Sequence, residues 1–530
     1  MSTRRMREEE TVTNVETDGG AEPRSLARRA LLGGAALSLA ACAATPKPEA
    51  TARAARTQEA GEKLADDELL FMSATRLAAL IRSGRVSATE AVTAYYRRID
   101  AVNPRLNAVV QFCRERAYAE AAACDAMAAK GQFKGALHGV PMTIKDSFDT
   151  EGVISTGGTQ GRAFFVPPKD ATAVARLRAQ GAILLGKTNT PEFTLGGISG
   201  LGTTANILYG MSRNPYDPTR STSGSTGGGG AIVAAGGAAF DFGSDFGGSI
   251  RGPAHANGIA GIKPTTGRVP RTGHIVDYGG VFDSYQQVGP LARRVEDLIT
   301  IVPLVAGPDF IDAAIQPMIW PDPRRVELSR LRVAYYFDLA DDAAQPTPEM
   351  RATVQSCVDY LARLGCPVRR SRPPDAVAIQ ALSTRLREGD GNAWQKRLVE
   401  KYHTTVPGPN RRFDYPLIET AEFTRLLEAR DAWRSRMMAW VKDFDLIVCP
   451  AALGPAPKIG DRSAEGLRGA SFTSTYNIAG YPSGVVRAGT SPEGMPLGVM
   501  LTAQPWREDL VLAAMLSIEA EFGGWQPPPS

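Results

Sequence analysis

The clearest periodic signal lies between residues 87 and 130. Ser87, with Glu90 three residues later, forms a capping box ahead of the amphipathic run AVTAYYRRID. Helical patterning continues through RERAYAEAAACDAMAAK. The texture then changes. GVPMTIKD has the short apolar pattern of a strand ending at Lys145, ATAVARLRAQ reads as a helix, and GAILLGK as a buried strand behind it. Near the C-terminus DLIVCP and LGVMLTA read as strands, and EDLVLAAMLSIEAEF as a helix. This alternation predicts an α/β fold. From about Pro303 to Asp445 the pattern is less regular, with Arg- and Glu-rich helices broken by stretches such as VPGPN. There is no internal repeat and no clear internal linker, so residues 67–530 read as one large domain.

The N-terminal pattern is different. In RSLARRALLGGAALSLAACAA, Arg28 and Arg29 precede an apolar run from Ala30 to Ala41 that ends at Cys42. That run is shorter than the ~20 residues that cross a bilayer. It has the length and positive flank of a signal peptide; the bland alternative is a short N-terminal helix. Leu39-Ala40-Ala41-Cys42 resembles a bacterial lipoprotein cleavage box, in which the cysteine becomes the lipidated first residue. The Arg28–Arg29 pair resembles a twin-arginine export signal. The expectation is a signal peptide over 1–41, lipidation at Cys42, and a flexible Ala-, Pro- and Thr-rich tether over 42–66. The protein is then exported, as a periplasmic or membrane-anchored lipoprotein of a bacterial envelope.

Composition narrows the function classes. The chain has 530 residues, 43% hydrophobic and 22% charged, with a formal net charge of +4. No basic cluster lies outside the N-terminus, which argues against a nucleic-acid partner. Beyond Cys42 there are five cysteines, Cys113, Cys124, Cys357, Cys366 and Cys449, with no CxxC spacing. They read as buried small hydrophobes rather than zinc ligands. GAILLGKT, Gly181 to Thr188, satisfies the P-loop expression, but its middle residues are strand formers and Pro191 falls where a helix should run. It reads as a strand ending near Lys187.

The candidate chemistry lies in two glycine-rich stretches, STSGSTGGGG (Ser221–Gly230) and GSDFGGSIRGP (Gly243–Pro253). A serine hydroxyl needs a base to become a nucleophile. None of the four histidines, His138, His255, His274 and His403, sits in a recognisable acid–His–Ser pattern, although a triad is spatial and stays open at this point. Lys145 is the alternative base, because desolvation at the end of an apolar strand lowers a lysine pKa. Moving it from about 10.4 to about 7.5 takes about 4 kcal/mol. Ser225 would pass the proton between Lys145 and Ser249. Phe246, Gly247 and Gly248 precede Ser249, so no bulky side chain shields the backbone N–H groups near its hydroxyl. Such donors converging on an oxyanion contribute about 3–4 kcal/mol each.

Together GVPMTIKD, NPYDPTRSTSGSTGGG and GSDFGGSIRGPAHANGIAGIKPTTGRVPRTGHI resemble the amidase signature family. Weaker similarity spans residues 67–525, and PLGVMLTAQPWRED is similar to the fatty-acid amide hydrolase branch. The resemblance implies a large mixed β-sheet sandwiched between layers of helices. It implies a Ser–cis-Ser–Lys triad of nucleophile Ser249, bridging Ser225 after a cis bond from Gly224, and base Lys145. The oxyanion hole maps onto the N–H groups of Phe246, Gly247, Gly248 and Ser249, with Gly224, Thr226, Asp245 and Arg251 in support. The implied partner is a small-molecule amide, with no cofactor, no metal and no nucleic acid. Membrane contact is through the lipid anchor alone, and a homodimer is left open. The family usually has Gly-Gly-Ser-Ser where this chain has Ser223-Gly224-Ser225-Thr226, so the local geometry departs there. Two competing readings remain. One is the glutamine-hydrolysing component of an amidotransferase, which needs cytoplasmic partners. The other is a non-catalytic binding lipoprotein, against which the intact lysine and serines argue.

Overall fold

Ser87 starts the first long helix as its pattern predicts. In the structure, a computed structural model, its hydroxyl accepts from Glu90 N at 3.0 Å and its own N–H donates to Glu90 Oε2 at 2.9 Å. The helix α1 that follows, Ala88–Leu106, ends at Asn107 in the left-handed conformation, φ 48°. The structure describes residues 66–196, 203–276, 283–409, 411–461 and 471–529. The expected signal peptide, Cys42 and the expected tether up to residue 65 lie outside the described residues. Lys63–Ser530 forms one compact unit. Among the described residues no helix is long and apolar enough to cross a membrane.

Eleven strands build one mixed sheet. In chain order they are β1 (Val109–Phe112), β2 (Pro141–Lys145), β3 (Ile183–Thr188), β4 (Phe240–Asp245), β5 (Ala260–Lys263) and β6 (Gln287–Ala292). Then come β7 (Val333–Tyr335), β8 (Val368–Arg370), β9 (Leu446–Pro450), β10 (Ser483–Thr490) and β11 (Pro496–Thr502). Their order across the sheet is β1-β3-β2-β4-β6-β5-β10-β11-β9-β7-β8. β2 runs parallel to both β3 and β4, whereas β4 and β6 are antiparallel. Every residue of β2, β3 and β4 is buried. Such strands are covered on both faces, so they read as nearly continuous apolar runs. Helices flank the sheet, and a single apolar cluster runs from Leu69 to Trp525.

The irregular zone contains two strands that its pattern did not predict. β7 is three residues long, and β8 is exposed along its length with two arginines, so neither carries an apolar alternation. The helices of that zone include Ala376–Glu388 and the 22-residue Thr420–Val441. The P-loop expression falls on β3. Lys187 Nζ donates to Phe148 O, to Thr150 Oγ1 at 2.9 Å and to Ser155 Oγ at 3.0 Å, all within the protein. That is a buried structural lysine, as its apolar context predicts.

Candidate active site

Pairing of β2 with β4 sets Thr143 opposite Asp241 and Ile144 opposite Phe242. This brings the end of β2, Lys145, beside the end of β4. Lys145 is fully buried, and its Nζ lies 2.6 Å from Ser225 Oγ and 2.9 Å from Ser244 Oγ. Burial pushes its ammonium down to about 7, against the opposing pull of Asp241 and Asp245. Ser225 sits just before the helix Gly227–Ala234, and the Gly224–Ser225 peptide is cis. Thr226 N–H donates to Ser249 O at 3.2 Å, so the two glycine-rich stretches are stitched side by side.

The loop from Asp245 to Arg251 is organised by one carboxylate. Asp245 accepts from Gly248 N (2.8 Å), Ile250 N (3.0 Å), Arg251 Nε (3.0 Å) and Asn477 Nδ2 (2.9 Å). Burial alone would raise its pKa, but the Arg251 guanidinium and these donors hold it well below the usual carboxylate range. The Asp245–Arg251 pair is wholly buried. Gly248 has φ 131°, a conformation that glycine alone adopts without strain.

These bonds refine the expected oxyanion donors. The Gly248 N–H is committed to Asp245, so it is not free to face an oxyanion. The N–H groups of Gly247 and Ser249 donate to no protein group among the described residues. Ser249 is half-buried, and its hydroxyl has no protein hydrogen-bond partner among the described residues. Thr226 fits despite its extra methyl: Cγ2 lies against Gly243, which offers no side chain, and Oγ1 donates to Ser244 O at 3.2 Å. Ser223 takes a left-handed φ of 59°, where a glycine would be relaxed.

Three groups escaped the sequence reading. Ser244 lies inside the quoted motif, yet nothing local marks it as the second partner of Lys145. His274 Nε2 lies 3.0 Å from Ser244 Oγ. Burial, reinforced by the nearby Lys145, pushes its imidazole down to about 3, so it is neutral. No histidine bonds to Ser225 or Ser249 among the described residues, which closes the open question of a histidine triad. The third group comes from the C-terminal part: Thr473 and Ser474 both donate to Gly247 O.

A cavity of about 470 Å³ opens at Phe246 and Gly247. Tyr285, Ala381 and Ile478 give it apolar surface, while Gln380, Thr384 and Ser474 give it polar surface. Its far wall is the helix Ala376–Glu388, from the zone whose pattern was least regular. Among the described residues no group of three or more His, Cys, Asp or Glu side chains could hold a metal ion.

A buried lysine with its pKa lowered to about 7, a serine in contact with it and a second serine beside unengaged N–H donors are groups that can perform acyl transfer. The chain is similar to known amide-cleaving proteins. The Amidase family model matches residues 90–512. The chain is 33% identical to the indoleacetamide hydrolase of Bradyrhizobium diazoefficiens, over 85% of this chain and 86% of that one. It is 34% identical to a glutamyl-tRNA(Gln) amidotransferase component from Moorella thermoacetica, over 85% and 97%. A solved fatty acid amide hydrolase superposes with TM-score 0.77 at 24% identity, covering 91% of this chain and 92% of that one, a likeness of fold alone. With 423 of its residues spanned by that model and a relative one-third identical along most of its length, the chain belongs to the Amidase family and is a hydrolase of carbon–nitrogen amide bonds.

Proposed function

We propose that the chain cleaves carboxamides through an acyl-enzyme on Ser249, with Ser225 as the bridging serine and Lys145 as the base. The observation that carries this reading is the 2.6 Å contact between the buried Lys145 Nζ and Ser225 Oγ. Neutral Lys145 accepts the Ser225 proton while Ser225 accepts that of Ser249. Ser249 Oγ bonds to the amide carbon, and the carbonyl π pair moves onto oxygen, where the N–H groups of Gly247 and Ser249 stabilise it. The oxyanion pair then re-forms the carbonyl, the C–N pair goes to nitrogen, and the amine leaves with the proton returned from Lys145 through Ser225, which leaves the acyl ester on Ser249. Water then attacks the acyl-enzyme by the same relay and releases the acid and free Ser249.

The cavity supports a compact acyl group with aromatic character, packed on Phe246 and Tyr285 with its polar atoms toward Gln380 and Thr384. The relative that hydrolyses indoleacetamide points the same way. The amidotransferase relative favours glutamine as the second reading. The N-terminal pattern supports an exported lipoprotein anchored through Cys42, which sets the enzyme apart from a cytoplasmic assembly.

The test is labelling with a fluorophosphonate alongside turnover of arylacetamides, long-chain fatty amides and glutamine. Ser249→Ala is expected to lose labelling and nearly all turnover, and Ser225→Ala to label slowly. Equal labelling of wild type and Ser249→Ala removes Ser249 from the role. Glutamine as the preferred amide overturns the substrate reading in favour of the amidotransferase one.

A further inference from the structure

The two consecutive glycines before Ser249 create a mechanical problem. A peptide between glycines rotates with little steric resistance. A turn of the Gly247–Gly248 peptide would set the Gly247 carbonyl against the Asp245 carboxylate and loosen the loop that carries the Gly247 and Ser249 N–H groups. Asp245 restrains one side of this peptide by accepting from Gly248 N at 2.8 Å. The other side is held from far along the chain. Gly247 O accepts from Thr473 Oγ1 at 2.6 Å and from Ser474 Oγ at 3.2 Å. Both hydroxyls belong to the first turn of the helix Phe472–Ala479.

Those hydroxyls are themselves oriented. The Thr473 proton goes to Gly247 O, so the 2.8 Å contact between Ser471 Oγ and Thr473 Oγ1 must run from Ser471 to Thr473. Ser471 is fixed through its backbone by Gln380, which accepts from Ser471 N at 2.8 Å and donates to Ser471 O at 2.9 Å. Gln380, Ser471 and Ser474 all line the cavity. A directed chain therefore runs from the cavity wall through Ser471 and Thr473 to the carbonyl that precedes Gly248. A Cβ on Gly248 would come within 2.3 Å of Thr473 Oγ1, which shows how closely the hydroxyl is seated against the loop.

We infer that Thr473, assisted by Ser474, is a positioning residue for amide hydrolysis: by holding the Gly247–Gly248 peptide it keeps the N–H groups of Gly247 and Ser249, on either side of that peptide, in place for the oxyanion. This rests on Ser249 being the nucleophile. Thr473 touches neither the substrate carbonyl nor the reacting atoms, so its loss acts on the transition state through the loop.

The experiment compares wild type with Thr473→Val, Thr473→Ser and the double variant Thr473→Val/Ser474→Ala. It measures kcat and KM on an arylacetamide and inhibition by a trifluoromethyl ketone, which adds the serine oxygen and carries the resulting alkoxide. Removing one oxyanion donor outright costs about 10²–10³ in kcat. Loss of the clamp is expected to lower kcat by about 10–100-fold with KM within about twofold, to weaken the ketone by the same factor, and to be deeper in the double variant. Thr473→Ser, which keeps the hydroxyl, is expected to restore kcat to within a few-fold. The inference is overturned if Thr473→Ser is as slow as Thr473→Val, if the double variant keeps wild-type kcat, or if the change falls on KM alone. Should Thr473→Val fold poorly, Ser474→Ala decides: a fall in kcat supports the clamp, and an unchanged kcat and ketone affinity overturns it. Failure of the nucleophile assignment is distinguishable, because Ser249→Ala would then still take the fluorophosphonate.

Discussion

Lys145 Nζ donates to Ser225 Oγ at 2.6 Å and to Ser244 Oγ at 2.9 Å, from a position with no solvent exposure. A buried ammonium in this setting is held near neutrality, about 7. If its neutral form is the base, kcat/KM rises with pH through about 7 and then levels off. Lys145→Ala is expected to lose about 10²–10⁴-fold or more, and to lose the rising limb. Lys145→Arg keeps length and charge but cannot give up its proton, so it is expected to match the alanine variant. A rising limb retained in Lys145→Ala assigns the titration to another group.

The same burial has a consequence for stability. The Lys145 pKa is lowered in the folded state, so between about 7 and the usual lysine value the unfolded chain binds more protons, and stability rises with pH across that window. Below about 7 the penalty for burying the charge is fully present. Lys145→Met is therefore expected to stabilise the fold at pH 6 and to lose that advantage by pH 10. Denaturant melts of both proteins at the two pH values check this, and a constant difference between them counts against the lowered pKa.

Asp245 is paired with Arg251 out of contact with solvent and anchors two backbone N–H groups around Ser249. Removing one partner of a buried pair leaves the other uncompensated, at about 3–5 kcal/mol. Asp245→Asn is expected to lower the unfolding free energy by that amount, read as a lower denaturation midpoint, and to reduce kcat, because the loop loses its anchor. A midpoint within experimental scatter of wild type would show that the pair contributes little.

Ser223 occupies a left-handed conformation, φ 59°, that costs a non-glycine residue about 1–2 kcal/mol. A glycine there recovers this cost, less about 0.5–1 kcal/mol of extra unfolded-state entropy. Ser223→Gly is expected to stabilise slightly, by about 0.5–1 kcal/mol, and Ser223→Val to destabilise, as read by thermal melts. The reverse order would mean that the Ser223 hydroxyl, which lies against Gly252, contributes more than the backbone strain costs.

Cys42 follows Leu39-Ala40-Ala41 after a short apolar run. One acyl chain binds a membrane marginally and two bind it stably. Cys42→Ser is expected to shift the protein from the membrane to the soluble fraction. Membrane retention of Cys42→Ser, with an intact N-terminus by mass spectrometry, contradicts lipidation.

The local features of the fold were legible because they depend on near neighbours. The capping box at Ser87 and Glu90, the buried strands around Lys145 and Lys187, and the closing helix Glu508–Phe522 follow from propensity and period over a few residues. The strands β7 and β8 were not legible, because three residues give no period and β8 has no buried face. Lys145, Ser225 and Ser249 stand out as candidates because a motif spells out residue types around a reaction, and their glycines mark where backbone must come close.

What the sequence determined by itself is the set of candidate reactive groups and the local chain shape that carries them. The tertiary structure decided how those groups are shared out. Pairing of β2 with β4 joins residues about a hundred positions apart and makes Ser244 a partner of Lys145. Asp245 claims the Gly248 N–H, while those of Gly247 and Ser249 have no protein acceptor among the described residues. Thr473, 226 residues beyond Gly247, fixes the direction of the peptide between the two glycines. A hydrogen-bond donor serves one acceptor well, and which acceptor reaches it depends on strand order and helix packing, so contacts over such separations exist only once the chain has folded.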